Sequence, residues 1–311
     1  MRTYLTTNGY CRQQFGEKVY RLALSGAVSC PNRDGTAGVG GCLFCSAGGS
    51  GDFAAPAAMA SEDQVAWARA RLGEKGKSIR RFIAYFQSYT GTYGDLDQLE
   101  RLYRRTALRE DVAALAIGTR PDCLGGEVLR MLDRLAAIKP LWIELGLQTC
   151  HDETAALINR GYPYVVYEEA MAHLGERPIH RITHVILGLP GEDKEAMLET
   201  VRQVGKLTDG IKLQLLHILK GTPLGECYEA QTTGKDGGEA GMLPEIRPLG
   251  FEEYVSLTAE AVSCLPTSVV IHRLTGDGPR SSLMAPLWST DKKRVLNAVH
   301  RELRNRDICL L

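Results

Sequence analysis

Residues 19–53 read VYRLALSGAVSCPNRDGTAGVGGCLFCSAGGSGDF, and this stretch decides how the rest of the chain is interpreted. Its first residues, VYRLALS, are mostly apolar, which predicts a short buried strand. The loop that follows carries Cys30, Cys42 and Cys45, with seven glycines between Cys30 and Phe53. Glycine permits positive φ angles and a close approach of the backbone, so this loop can wrap three thiolates around one centre. The sequence therefore predicts a metal or cluster site directly after a first strand.

The number of cysteines in this loop distinguishes between kinds of metal centre. A structural zinc site normally has four protein ligands, whereas a [4Fe–4S] cluster held by three cysteines leaves one iron open to another ligand. No histidine occurs in the loop, which favours the cluster. Zinc remains an alternative if Cys123 or Cys150 supplies a fourth ligand. A thioredoxin-like pair is disfavoured, because Cys42 and Cys45 do not open a helix after a strand.

Apolar runs recur along the chain with helical patterns between them, and Ser61, Asp95 and Asp152 are predicted to cap three of the helices. Strands are predicted to begin near Val19, Phe82, Val112, Leu141, Ile182, Ile211 and Ser268. Several of these starts lie about 30 residues apart, which matches single strand–helix units. The pattern predicts an α/β fold with a partial or complete (β/α) barrel, and a doubly wound open sheet is the competing topology. In either case we expect ligands at the carboxyl ends of the strands.

The composition sets limits on partners and location. The 311 residues include 37 Lys+Arg and 37 Asp+Glu, so the formal net charge is zero and gives no global argument for a nucleic-acid or membrane partner. The N-terminal residues lack the apolar core of a signal peptide. The nine cysteines are odd in number, which disfavours a disulfide framework. We therefore expect a cytoplasmic protein with reduced thiols and no membrane segment.

The patterns predict three parts. Residues 1–18 form an N-terminal extension, residues 19–245 form the core barrel, and residues 246–311 form a C-terminal extension with the last strand and a basic helix, TDKKRVLNAVHREL. A second basic stretch, LGEKGKSIRRF, covers residues 72–82. Such patches can neutralise phosphates, although solvated helix faces explain them equally well.

Six sequence motifs, including the cysteine loop, lead to a family resemblance. In chain order, the motifs are CPNRDGTxGxGGCxFCSxxGSGDF, AYFQSYTGTYG, IGTRPDCL, ELGLQT…INRGY, ILGLPGE and RLTGD, spread between Leu5 and Asp277. Together they resemble the YtqA/YhcC-type family, in the elongator-like branch of the radical S-adenosylmethionine (radical SAM) superfamily. The resemblance implies a radical SAM barrel in which Cys30, Cys42 and Cys45 hold a [4Fe–4S] cluster. It also implies that SAM binds the open iron and yields a deoxyadenosyl radical, with flavodoxin or ferredoxin as electron donor.

The resemblance also suggests which residues contact SAM. Relatives use a glutamine at a strand end for the SAM ribose and an arginine twelve residues later for its carboxylate, which points to Gln148 and Arg160. A guanidinium forks readily onto a carboxylate. The other predicted cofactor-binding residues are Gln87, Tyr89, Thr119, His184 and Leu189. The competing interpretations are a structural glutamine, a surface arginine, a core histidine and a tight GLPGE turn.

Substrate contacts are predicted from polar residues near the strand ends. They are Arg120, Lys212, His217, His272, Arg273 and Asp277, although an internal salt bridge explains Arg273 and Asp277 equally well. The resemblance implies that tRNA is the substrate, and that carboxymethylaminomethyluridine at the wobble position is converted to aminomethyluridine. Two alternatives remain open: a radical SAM enzyme acting on a small carboxylated metabolite, and a non-catalytic zinc or iron–sulfur module that binds nucleic acid.

Overall fold

The computed structural model describes residues 2–26, 28–49, 51–73, 80–234, 243–276 and 278–311. The strands are β1 (Arg2–Tyr4), β2 (Tyr20–Leu24), β3 (Phe82–Phe86), β4 (Val112–Thr119), β5 (Leu141–Gln148), β6 (Ile179–Leu187), β7 (Gly210–Leu215), β8 (Ile218–Leu219), β9 (Val270–Arg273), β10 (Leu283–Ala285) and β11 (Ile308–Leu310). The helices are α1 (Thr7–Phe15), α2 (Ser61–Ala70), α3 (Leu96–Ala107), α4 (Gly126–Ala136), α5 (Asp152–Leu157), α6 (Tyr164–Gly175), α7 (Lys194–Gly205), α8 (Pro223–Thr233), α9 (Phe251–Ser263) and α10 (Lys292–Asn305).

Seven strands form one sheet in the order β2-β3-β4-β5-β6-β7-β9, and every neighbouring pair is parallel. These are the seven strands that the apolar runs predict. The sheet curls into a half-barrel, so that side chains of its two edge strands meet: Nη2 of Arg21 on β2 lies 2.9 Å from Nδ1 of His272 on β9. The prediction of a partial barrel is confirmed, and the competing doubly wound sheet is wrong.

The apolar character of the central strands explains their position in the sheet. All eight residues of β4 and all five of β3 are buried, as expected for parallel strands covered on both faces. Only some of the helices begin at a side-chain cap. In α2, Ala60 occupies the N-cap position and Ser61 is already helical, so the predicted cap at Ser61 is wrong. Oδ1 of Asp95 accepts a hydrogen bond of 3.0 Å from the backbone N–H of Gln98, as the sequence predicts for α3.

The predicted cap of α5 is wrong. His151 occupies the N-cap position, and Asp152 is already the first helical residue. The Asp152 carboxylate instead accepts a hydrogen bond of 2.6 Å from the backbone N–H of Tyr164, where α6 begins. This carboxylate therefore joins the starts of two successive helices.

Aromatic and apolar side chains fill the amino-terminal end of the half-barrel. Helix α1 places Tyr10 and Cys11 against Trp142, Ile83 and neighbouring residues of the sheet. The ring of Tyr10 stacks on His180 with centroids 4.5 Å apart and meets Trp142 edge-on at 5.7 Å. The barrel is thus closed at this end and leaves its carboxyl end for ligands.

The two ends of the chain lie together. Strand β1 pairs in parallel with β11, while β9 completes the main sheet and β10 pairs antiparallel with β8. The predicted boundary at residue 245 falls between α8 and α9, so the sheet takes strands from both sides of it. None of the described helices combines the length and the apolarity needed to cross a bilayer.

Candidate cofactor and substrate cavity

A cavity of about 760 Å³ opens at the carboxyl ends of the strands, where the fold class predicts ligands. Its lining brings together Cys30, Cys42 and Cys45 with most of the predicted cofactor and substrate residues. These are Gln87, Tyr89, Thr119, Arg120, Gln148, Arg160, His184, Lys212, His217 and Arg273. Residues that are far apart in sequence thus border the same space.

Three predicted residues are not in this lining. Leu189 is buried in an apolar cluster with Ile158 and Leu216. His272 lies toward the closed end of the barrel, where its Nε2 is 3.0 Å from Nε2 of His180. Asp277 lies outside the described residues, so its predicted salt bridge with Arg273 stays a prediction.

The cysteine loop is held in place by polar side chains on both sides of it. Nδ2 of Asn32 donates to the backbone oxygen of Asn159 at 2.6 Å and lies 3.7 Å from Sγ of Cys42. Nδ2 of Asn159 donates back to the oxygen of Gly41 at 2.8 Å. Nη2 of Arg33 donates to the oxygen of Ser46 at 2.6 Å. The loop is therefore fastened to the segment that follows α5.

The environment of the thiols affects their protonation. Burial raises the pKa of the Cys42 thiol to about 12, and the nearby Cys45 and Cys30 add to this, whereas Arg120 opposes it. At neutral pH this thiol is protonated in the metal-free protein, and metal binding must release its proton. Within the described part of the chain, no three Cys, His, Asp or Glu side chains form a group that fits a single metal ion.

Two cavity residues adopt backbone conformations that non-glycine residues rarely use. Gln148, at the end of β5, has a φ of 69°, and Tyr89 has a φ of 54°. Oε1 of Gln148 is buried and has no hydrogen-bond partner among the described residues. A buried acceptor without a partner is costly unless a ligand satisfies it. Strain and an unsatisfied oxygen at one position are typical of a ligand-binding residue.

The ring of Tyr89 depends on a glycine in the cysteine loop. Its hydroxyl donates to the backbone oxygen of Ala47 at 2.6 Å. A Cβ atom at Gly49 would lie 2.2 Å from the Tyr89 ring, so the ring packs directly on the glycine backbone. The segment that follows β3 and the cysteine loop therefore pack against each other.

Arg160 lies in the lining, but its guanidinium is engaged within the protein. Only 1% of the residue is exposed, and its N–H groups donate to the backbone oxygens of Leu147, Thr149 and Tyr162 and to Asp152. These bonds account for all five of its N–H groups. A contact with a carboxylate would therefore have to replace one of them, and the predicted role of Arg160 stays a prediction.

Arg120 is the neighbouring arginine, and fewer of its N–H groups form hydrogen bonds within the protein. Its Nε and Nη2 donate to the two carboxylate oxygens of Asp122 at 2.9 and 2.7 Å, and its Nη1 donates to the oxygen of Arg160 at 2.9 Å. Two of its five N–H groups remain beyond these three bonds with described residues. Arg120 therefore presents both positive charge and donors to the cavity.

Deeper in the barrel, charged side chains from several strands meet. We call this set the charged layer; it consists of Arg21, Tyr85, Glu144, His184, Lys212 and Arg273, and all six line the cavity. The Glu144 side chain is fully buried and the Lys212 side chain is 2% exposed, and the two form an ion pair. Nη1 of Arg21 donates to Oε1 of Glu144 at 2.7 Å.

The remaining members of the layer surround this ion pair. Nε2 of His184 lies 2.8 Å from Oε2 of Glu144, and Nζ of Lys212 donates to the Tyr85 hydroxyl at 3.1 Å. Burial alone would raise the pKa of Glu144, but Lys212, Arg21 and His184 outweigh it and hold that pKa well below its usual range. Burial, together with Lys212, lowers the pKa of His184 to about 4. At neutral pH Glu144 is therefore ionised and His184 is neutral.

Arg21, Tyr85 and Glu144 belong to the site without being among the residues that the sequence motifs predict. A signal was available for the charged pair, because Glu144 interrupts the apolar run LWIELGLQ and Arg21 interrupts VYRLALS. A charge inside a buried strand is rarely tolerated without a partner. Such interruptions predict that the charged residues contact each other in the folded protein.

Comparisons with known proteins add to this geometry. The family model of the radical SAM superfamily matches residues 30–204, and that of the radical SAM C-terminal domain matches residues 208–305. The chain is 41% identical to the protein YtqA of Bacillus subtilis, over 98% of this chain and 91% of that protein. It is 26% identical to a tRNA uridine(34) acetyltransferase of Methanocaldococcus jannaschii, over 55% of this chain and 29% of that protein.

The fold is similar to that of a solved archaeal structure, Elp3 of Methanocaldococcus infernus with an N-terminal deletion. The TM-score is 0.59 at 18% sequence identity, and the match covers 74% of this chain and 58% of that chain. At this level of identity the likeness concerns the fold.

Proposed function

The chain belongs to the YtqA/YhcC-type radical SAM family and is a SAM-dependent iron–sulfur enzyme, and on this basis we propose that it modifies tRNA. The proposed reaction removes the carboxymethyl part of carboxymethylaminomethyluridine at the wobble position as glyoxylate and leaves aminomethyluridine. In this two-electron oxidation SAM would be the oxidant, and water would supply the aldehyde oxygen. A reduced flavodoxin or ferredoxin would supply the electron, and the reaction would take place in the cytoplasm.

The residues of the cavity fit the two cofactors of the family. Cys30, Cys42 and Cys45 would hold the [4Fe–4S] cluster, since all three line one cavity and are mounted on a loop that is fastened at both sides. Gln148 would accept a hydrogen bond from the SAM ribose through its unpartnered Oε1. When bound, the cluster and SAM supply the one-electron chemistry that removes a hydrogen atom from an unreactive carbon.

Two guanidinium groups are candidates for the SAM carboxylate. Arg120 has more N–H groups left for a ligand than Arg160 has. The guanidinium of Arg160 instead connects the end of β5 to the segment after α5 through hydrogen bonds to backbone oxygens. We propose that Arg160 orients Arg120, whose Nη1 donates to its backbone oxygen, and that the carboxylate reaches Arg120. This proposal differs from the sequence prediction, which assigns the SAM carboxylate to Arg160 and a substrate contact to Arg120.

The observation that carries the proposed function is that one cavity contains both the three thiols and the charged layer. A substrate that reaches Lys212 and Arg273 would therefore lie in the same space as the cofactors. Support for tRNA comes from the cavity mouth, where exposed Arg280 and Lys292 belong to the lining. Lys292 begins α10, whose exposed Lys293, Arg301 and Arg304 continue the positive surface, and cations near a cavity mouth can neutralise phosphates.

The tRNA nucleosides of a deletion strain would test this proposal. We expect carboxymethylaminomethyluridine to accumulate and the aminomethyl forms to disappear, and we expect the wild-type gene to restore them. A gene with Cys30, Cys42 and Cys45 replaced by alanine should not restore them. An unchanged wobble-uridine profile in the deletion strain would contradict the proposal.

A small carboxylated metabolite is the second candidate substrate, because a buried cationic site suits a carboxylate on any carrier. Binding of tRNA that weakens steeply as salt is raised would favour the RNA. If tRNA binding is absent at low salt while a carboxylated metabolite stimulates SAM cleavage, the second candidate would replace the first.

A further inference from the structure

The charged layer holds more positive than negative charge. Arg21 and Lys212 share the single carboxylate of Glu144, and His184 is neutral. Burial lowers the pKa of Lys212 well below its usual range, and the contact with ionised Glu144 opposes this. Arg273 is a further basic member of the layer, so its basic side chains outnumber its one carboxylate. Such an excess is unfavourable in a buried site unless an anion compensates for it.

Lys212 also has one N–H group that is available to a ligand. Its ammonium group carries three N–H bonds, and two of them are directed to Glu144 and to the Tyr85 hydroxyl. Among the described residues no third partner accepts from it. Because Lys212 lines the cavity, an acceptor on a bound molecule can complete its hydrogen bonding.

The strand register places two glycines near the ion pair. Lys212 on β7 pairs with His184 on β6, and His184 pairs with Gly146 on β5. In the row of Glu144, its neighbour on β4 is Gly118. Both glycines line the cavity, so each of the two rows includes one position without a side chain.

We propose that the charged layer is the site that receives a carboxylate of the substrate, and that Lys212 determines specificity for it. The one remaining N–H of Lys212 can donate to a carboxylate oxygen, and the neighbouring Arg21 and Arg273 favour an anion at this place. This inference rests on the proposed function to the extent that carboxymethylaminomethyluridine carries such a carboxylate. The same chemistry would also recognise a carboxylated metabolite.

Binding measurements without turnover would test it. The reconstituted holoenzyme with SAM, kept without reductant, is titrated with an anticodon stem-loop RNA that carries carboxymethylaminomethyluridine, and with the same RNA bearing the carboxamide. We expect the carboxylate form to bind about tenfold more tightly, as one charge-assisted hydrogen bond provides. A second pair of probes, N-benzylglycine and N-benzylglycinamide, tests the same preference without RNA.

The variants separate recognition from folding. Lys212→Met should abolish the preference for the carboxylate, Lys212→Arg should retain part of it, and Lys206→Met, at an exposed lysine after α7, should leave it unchanged. If circular dichroism shows that Lys212→Met is unfolded, Arg21→Met takes its place with the same expected result. Equal affinities of the wild-type protein for acid and amide in both probe pairs would overturn the inference, as would a folded variant that keeps the full preference.

The two probe pairs also distinguish the inference from the proposed function. If the small carboxylate shows the Lys212-dependent preference while neither RNA binds, the carboxylate site stands and the tRNA proposal fails. If the RNAs bind equally well and the small probes show no preference, the carboxylate site fails. The nucleoside profile of the deletion strain then decides the tRNA proposal independently.

Discussion

The cysteine loop and the charged layer face the same cavity but are built in opposite ways. The loop takes its three thiols from one short segment, Cys30 to Cys45, and distant residues such as Asn159 only fasten it. The charged layer takes its side chains from strands that are far apart in sequence, and Glu144 and Lys212 are separated by 68 positions. A local motif can therefore indicate a cofactor, whereas the charged layer exists only once the sheet has formed.

Removal of the thiols should have the largest effect on function. The triple replacement of Cys30, Cys42 and Cys45 by alanine should eliminate iron binding and deoxyadenosine release, since a cluster without its thiolate ligands is not retained. The unfolding midpoint of the metal-free protein should change little, because the thiols line an open cavity. Iron analysis and chromatography of the nucleoside product measure the two effects.

A matched control is available for this change. Cys264 is a half-buried free thiol at the end of α9 and is not in the cavity lining, so Cys264→Ala should keep its iron. Iron retained at normal stoichiometry by the triple variant would refute the assignment of the cluster to this loop.

Disruption of the charged layer should have the largest effect on stability. Glu144→Gln leaves Arg21 and Lys212 without their buried counter-charge, and loss of one partner of a buried pair costs about 3–5 kcal/mol. Urea denaturation of the metal-free protein measures the free energy of unfolding. The double variant Glu144→Gln/Lys212→Met should recover part of the loss, and an additive loss would show that the two residues act independently.

The contact between the cysteine loop and the segment that follows β3 should respond to a single methyl group. Gly49→Ala places a Cβ atom 2.2 Å from the Tyr89 ring at a φ of +57°, so we expect a loss of more than the roughly 1 kcal/mol that a left-handed alanine costs. Gly73→Ala is the matched control, because Gly73 has the same φ and no atom within 4 Å of its added Cβ. Equal unfolding free energies for the two variants would contradict the packing of Tyr89 on the loop.

The smallest effect is expected at the end of β5. Gln148→Leu removes an oxygen that has no partner in the described protein, so stability should change by less than about 1 kcal/mol, while the affinity of the holoenzyme for SAM should fall about tenfold. Equilibrium dialysis with SAM and thermal unfolding measure these quantities. Unchanged SAM affinity would remove Gln148 from the cofactor site.

The sequence predicts the fold well because each strand of the sheet is a local apolar run. It places all seven strands and finds the Asp95 cap of α3, since these depend on neighbouring residues. The cap at Asp152 is wrong because Tyr164, twelve residues later, takes the carboxylate. Sequence spacing also cannot reveal that the donors of Arg160 are already used by backbone oxygens.

The charged layer marks the limit of such prediction. Arg21 and Glu144 meet only because β2 and β5 curl toward each other, and the register between strands decides which side chains share a level. Lys212 and Arg273 were predicted as substrate residues from their polarity alone. The ion pair of Lys212 with Glu144 becomes visible only in the three-dimensional arrangement.

The aromatic closure of the barrel by α1 has a kinetic consequence. With Tyr10, His180 and Trp142 filling the amino-terminal end, molecules reach the cavity from the side where Arg280 and Lys292 stand. A macromolecule seated across that entrance would seal in whatever arrived before it. We therefore expect ordered binding, in which SAM enters first and its cleavage products leave only after the macromolecule has dissociated.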